Sequence, residues 1–147
     1  RIKGDNVFLE YWDNEKATIE SFKDGWFCTG DVAVLDDGYY RIMGRSSIDI
    51  IKSGGYKLSA LEIEGVLLTH PSVSEVAVIG VEDETWGESV LAFIGLNDGA
   101  ELKYDDLKKW CDGKMSSYKI PKDIKIIDAL PRNAMGKVTK PDLKKLV

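Results

Sequence analysis

Lys137 ends the run Leu130-Pro131-Arg132-Asn133-Ala134-Met135-Gly136-Lys137. Pro131 and Gly136 bracket a stretch that cannot be regular helix or strand, so it predicts a loop. A lysine on a mobile, glycine-flanked loop has reach, and its ammonium is a compact charge suited to phosphate oxygens. The competing reading is a plain exposed lysine, as most Gly-Lys pairs are. A second chemical stretch runs from Gly44 to Glu64. There Gly54-Gly55 sits between Lys52 and Lys57, a tight turn where backbone N–H groups can approach a ligand closely. An ordinary hairpin turn followed by a surface helix is the alternative. Asp31 stands at the mouth of an expected hairpin and Arg45 just beyond its far end. A carboxylate there can accept two hydrogen bonds from vicinal hydroxyls, and a guanidinium can donate to a phosphate or a ribose. The alternative is a surface ion pair of little worth.

These residues need elements to hold them. Asn14 to Phe22 reads as one or two helical turns and Val7-Phe8-Leu9 as a short strand. Val32 to Leu35 and Tyr39 to Met43 flank Asp36-Asp37-Gly38, a hairpin signal. Ile48 to Ile51 reads as a short strand. Ser59 and Glu62 have capping-box spacing ahead of a helix at Ala60 to Thr69, which His70-Pro71 ends. Val73 to Val81 and Ser89 to Leu96 are β-branched apolar runs, with Trp86 between them as a packing residue. Tyr104 to Lys114 is an amphipathic helix, Asp123 to Ile127 a further strand, and Pro141 to Leu146 a last helix that Thr139 can cap. The expected fold class is α+β: a three-stranded sheet flanked by helices, preceded by a β-hairpin.

The totals exclude several classes. The chain has 147 residues, enough for one mid-sized core, and a net charge of −5 from 20 basic and 25 acidic residues. That balance argues against a general nucleic-acid surface. No apolar run reaches the ~18 residues of a membrane span. Two separated cysteines, Cys28 and Cys111, read as free thiols, and with one histidine they cannot assemble a zinc site, so no metal site is expected in this chain. His70 has no nucleophile or orienting carboxylate at a recognisable spacing and reads as structural. Lys108, Lys109 and Lys114 read as a solvated helix face, with the phosphates of a ligand as the rival partner.

Thr29-Gly30-Asp31, Gly44-Arg45, the Lys52 to Lys57 turn with its capped helix and Pro131 to Lys137 occur in the order and spacing of the adenylate-forming acyl-CoA synthetases. The resemblance covers nearly the whole chain. The wording Ile50 to Glu62 and Leu130 to Lys137 most resembles the malonyl-CoA synthetase branch. It implies the C-terminal portion of an AMP-forming ligase that converts ATP, a carboxylate such as malonate and coenzyme A into acyl-CoA, AMP and pyrophosphate. It implies that 1–44 end a large N-terminal domain, that 45–49 are a hinge and that 50–147 are a small mobile domain. The phosphate-binding loop and most of the acyl pocket then lie outside this chain, which begins at Arg1 without a targeting pattern and is expected to be inactive alone.

The resemblance also implies roles. Lys137 is the catalytic lysine of adenylation. Asp31, Arg45 and Lys57 face the nucleotide, with Asp31 on the ribose hydroxyls. Gly54, Gly55 and Lys57 guide coenzyme A. Mg2+ is held mainly by ATP and the N-terminal domain. The location is intracellular, mitochondrial or cytoplasmic. Between Arg45 and Asp49 the sequence departs from the family: Ser46-Ser47-Ile48 stands where a hinge Asp or Lys is usual, one residue longer. Loading of a carrier-protein thiol and a stand-alone interaction module are the rival functions.

Overall fold

The computed structural model describes residues 1–147. The amino-terminal part is built of short pieces. Asn14 caps α1 (Glu15–Ser21), its side chain accepting from the Ala17 N–H at 3.0 Å. Strands β1 (Phe22–Lys23) and β2 (Trp26–Phe27) form a two-strand hairpin that turns at Asp24-Gly25, both at positive φ (55° and 75°). The strand expected at Val7 to Leu9 does not form. Phe8 instead packs its ring against Tyr11, Phe22 and Phe27, and Ile2 bridges to Phe27.

The predicted hairpin is present as β3 (Asp31–Asp36) and β4 (Tyr39–Arg45), turning at Asp37-Gly38. Strand β4 runs two residues past the expected Met43, and a bulge at Val32/Ala33 shifts the register. The consequence is that Arg45 lies directly opposite Asp31.

The rest forms one α+β unit, as expected, but its sheet has five strands and not three. Strands β5 (Ile50–Ser53) and β6 (Tyr56–Ser59) make a hairpin around Gly54-Gly55. Strand β7 (Val73–Asp83) pairs antiparallel with β8 (Gly87–Leu96) along its length. The other edge of β8 is shared: β5 joins it at Ser53–Gly87, and β9 (Asp123–Ile126) runs parallel to Leu91–Ile94. The sequence reading placed a strand at Ile48 to Ile51, took Tyr56 to Leu58 for the lead into a helix and counted three strands in the sheet, whereas the sheet takes in both arms of this hairpin.

Alternation along β8 sends successive side chains to opposite faces. Val90, Ala92 and Ile94 join Ile51, Leu58, Ile63, Leu67, Val78, Leu107 and Cys111 under α2 (Ala60–Leu67) and α3 (Tyr104–Cys111). Leu91 and Phe93 join Ala77, Ile79, Leu130 and Leu143 on the other face, covered by α4 (Lys140–Leu143) and the strap before it. Ser59 caps α2, accepting from the Glu62 N–H at 3.1 Å. The reciprocal half of the box is not made, because the Glu62 carboxylate turns to Lys119 at 2.7 Å. Thr139 precedes α4 without a side-chain cap. His70 accepts from the Ser72 N–H at 3.1 Å and lies against Trp110, a packing role. Both cysteines are free thiols. No helix is long and apolar enough to cross a membrane.

Candidate functional site

The β3–β4 register brings the first pair together. Arg45 Nε lies 3.2 Å from Asp31 Oδ1, and its Nη1 donates to the Thr29 carbonyl at 2.8 Å. Gly30, at φ 78°, lets the chain turn beneath that guanidinium, and a Cβ there would sit 3.1 Å from Nη1. The pair is solvent-facing, with the arginine side chain 60% and the aspartate 33% exposed. As a stabilising ion pair it is worth little. As a fixed set of donors and acceptors at the mouth of a cavity it is well placed.

That cavity, of about 560 Å³, is lined by Arg45, Ile48 and Asp49 from the joint after β4, by Leu61 and Glu64 from α2, and by Lys137 to Pro141. Residues far apart in the sequence thus meet at one opening. Lys137 is exposed and enters no ion pair. Its loop is tighter than a mobile glycine loop would be. The Asn133 side chain accepts from the N–H groups of Met135 and Lys137, both at 3.0 Å. Arg132 donates to the Gly136 carbonyl at 2.9 Å and to Glu75 at 2.6 Å. Arg132 and Val138 bridge, so the loop is a closed β-like bend with Lys137 on its returning limb. The loop backbone is hydrogen-bonded within itself, and the long Lys137 side chain makes no hydrogen bond or ion pair.

The diglycine hairpin is elsewhere. Gly54 and Gly55 both have positive φ (57° and 81°), so the turn type needs residues without a Cβ. Gly54 has a second reason: a Cβ would lie 2.7 Å from the Trp86 ring, and its N–H donates to the Trp86 carbonyl at 2.9 Å. Trp86 is therefore a packing residue, as expected, although it stays half exposed with the Lys122 ammonium 4.8 Å above its ring. Lys52 and Lys57 face each other across the hairpin. Like charges directly opposite cost stability, and an anion between them would relieve that cost. Tyr56 stacks on Tyr118 at 4.7 Å and 13°, and with Gly54 and Trp86 they line a smaller cavity of about 130 Å³. Lys57 is on this hairpin and not among the residues around the larger cavity, so the structure brings Arg45 and Lys137 together and leaves Gly54, Gly55 and Lys57 apart from them. Lys114 bends back onto the Trp110 ring at 3.9 Å, while Lys108 and Lys109 face solvent.

Sequence reasoning missed one cluster. Lys140 Nζ is buried 2.6 Å from Asp49 Oδ1 and 2.8 Å from Glu64 Oε1. Asp49 Oδ2 accepts the Arg45 N–H at 2.9 Å, and Glu64 Oε1 accepts the Val78 N–H at 2.8 Å. A lysine three residues beyond a catalytic candidate reads in sequence as surface charge, and only tertiary contact reveals it as buried.

Residues 62–137, just over half of the chain, match the family described as AMP-binding enzyme C-terminal domain. The mitochondrial malonate–CoA ligase ACSF3 of Bos taurus is 52% identical over 97% of this chain and 24% of its own length. The chain thus spans about a quarter of that relative. The o-succinylbenzoate CoA synthetase of Bacillus subtilis, in complex with its acyl-adenylate intermediate, superposes with a TM-score of 0.89 at 39% identity, over 97% of this chain and 29% of that one. MatB of Rhodopseudomonas palustris bound to ATP gives 0.86 at 38% identity over 98% of this chain and 29% of that one. The same protein without nucleotide gives 0.71, again over 98% of this chain. On these grounds the chain belongs to the AMP-binding enzyme C-terminal domain family.

Proposed function

We propose that this chain is the C-terminal portion of an AMP-forming acyl-CoA ligase acting on malonate or another short-chain acid. The observation that carries the reading is the shared cavity of Arg45 and Lys137, with Asp31 held against Arg45 at 3.2 Å. Asp31 offers carboxylate oxygens to the ribose hydroxyls of ATP. Arg45 fixes Asp31 and donates toward the nucleotide. Lys137 reaches the α-phosphate, where charge builds as the carboxylate attacks and pyrophosphate leaves. The likeness to ATP-bound and adenylate-bound synthetases, stronger than to a nucleotide-free one, supports this placement.

The second half-reaction belongs to the other stretch. Residues 1–44 close the large N-terminal domain, 45–49 are the hinge and 50–147 the mobile domain. Rotation about the hinge withdraws Lys137 and brings in the Gly54–Gly55 turn and Lys57; the Gly55 N–H and the Lys57 ammonium guide coenzyme A to the acyl carbon, while the Gly54 N–H holds the turn to Trp86. The separation of the two stretches on the domain is what such an exchange requires. Mg2+ travels with ATP and is held by the N-terminal domain. The mitochondrial ACSF3 relative favours a mitochondrial location over a cytoplasmic one.

In the intact ligase, Lys137→Ala is expected to lower carboxylate-dependent ATP–pyrophosphate exchange by about 10²–10³-fold. An exchange rate within a few-fold of wild type would reject Lys137 as the adenylation lysine. Transfer to a carrier-protein thiol instead of coenzyme A would identify the rival acceptor.

A further inference from the structure

We propose that Lys140 is a positioning residue for adenylation: through Asp49 and Glu64 it locks the Lys137 arm to the Arg45 joint. The inference rests on the reading of Lys137 above. Lys140 is 8% exposed and Asp49 8%, so this is a buried ionic cluster and not a surface pair. Burying ions costs free energy unless every oxygen and proton finds a partner. Here each carboxylate serves twice. Asp49 holds Lys140 through one oxygen and the Arg45 N–H through the other. Glu64 holds Lys140 and the Val78 N–H of strand β7.

The geometry decides what is being held. Arg45 opens the joint and its guanidinium faces Asp31; Asp49 closes the joint. Gly44, at φ 122°, leaves no room for a Cβ, which would lie 2.4 Å from Asp49 Cβ, so the carboxylate is pressed against the end of β4. Lys140 begins α4 directly after the loop that presents Lys137. At the other end of that loop Arg132 is tied to Glu75 at 2.6 Å. The arm therefore has two anchors. The Glu75 anchor fixes it to the sheet alone. The Lys140 anchor fixes it to the sheet and to the joint that carries Arg45. Hence a single buried carboxylate, Asp49, sets the separation of the two cations that line the cavity. After rotation the Lys137 arm has left the reacting atoms, so its placement no longer matters to thioester formation.

A misplacement of about 1 Å at a reacting centre costs on the order of 10²-fold in rate. In the intact ligase, Lys140→Met is expected to lower carboxylate-dependent ATP–pyrophosphate exchange by about 10²-fold. Thioester formation from supplied acyl-adenylate should stay within about two-fold of wild type. Lys140→Arg, which keeps the charge, should restore most of the exchange. Glu64→Gln keeps one acceptor oxygen for the Val78 N–H but removes the charge facing Lys140, and is expected to show the same split at smaller size; it serves should Lys140→Met fail to fold. Equal losses in both half-reactions, or no rescue by arginine, would mean that Lys140 only stabilises the domain, and the inference falls. Lys137→Ala run beside them separates the two claims. Exchange that survives Lys137→Ala overturns the reading of Lys137 and this inference with it. Exchange abolished by Lys137→Ala but unmoved by Lys140→Met overturns this inference alone.

Discussion

The two parts of the chain on either side of the Arg45–Asp49 joint differ in how they spend their apolar residues. Before it, only Gly44 is buried; all the other buried residues lie at Asp49 or beyond. Leu9 and Trp12 are more than nine-tenths exposed, and Tyr39 and Tyr40 are 80% exposed on a two-stranded hairpin. A pair of strands with no apolar face covered is marginal in water. After the joint, a five-stranded sheet carries apolar side chains on both faces and covers both. The first part has no core of its own, and the second has the core. The site candidates spread across the same division: Asp31 lies in the first part, Arg45 at the start of the joint, and Lys137, Gly54, Gly55 and Lys57 in the second part.

The sharpest way to break that comparison is to separate the parts. Residues 49–147 alone should melt cooperatively, while a 1–48 peptide should show no cooperative transition by circular dichroism; a cooperative melt of the peptide would contradict the asymmetry. Within the chain, Phe93→Ala removes a ring that is 1% exposed and should cost about 3–5 kcal/mol in denaturant unfolding. Tyr40→Ala, at an 80% exposed ring, should stay within about 0.5 kcal/mol. Comparable losses at the two sites would mean that the hairpin shares the core after all. A smaller effect is expected at the turn. Gly54→Ala must hold a left-handed φ of 57° and push against Trp86, and should cost about 1–2 kcal/mol. Gly55→Ala meets open space and bears the backbone cost alone, so it should be the milder variant in the same melt.

Much of this was legible in the sequence, because local signals settled it. Asp37-Gly38 announced its hairpin, Ser59 its helix, and the β-branched runs of β7 and β8 their burial. Lys137, Asp31 and Arg45 stood out through their flanking motifs. What could not be read depends on distant contact. Ser53 meeting Gly87 turned a separate hairpin into part of a larger sheet. The bulge at Val32/Ala33 decided that Arg45 would face Asp31. The burial of Lys140 depends on Asp49 and Glu64, carboxylates from two other elements. The hydrogen bonds that Asn133 and Arg132 make within the Lys137 loop were likewise not legible from its proline and glycine.

On the proposed function, two stretches of one domain serve the reacting carbon in turn. Its most direct test crosses two variants of the intact ligase, Lys137→Ala and Lys57→Ala, with two assays: carboxylate-dependent ATP–pyrophosphate exchange, and thioester formation from supplied acyl-adenylate. Lys137→Ala should lose the exchange and keep the thioester step, and Lys57→Ala should do the reverse. Both variants losing the same half-reaction would contradict it.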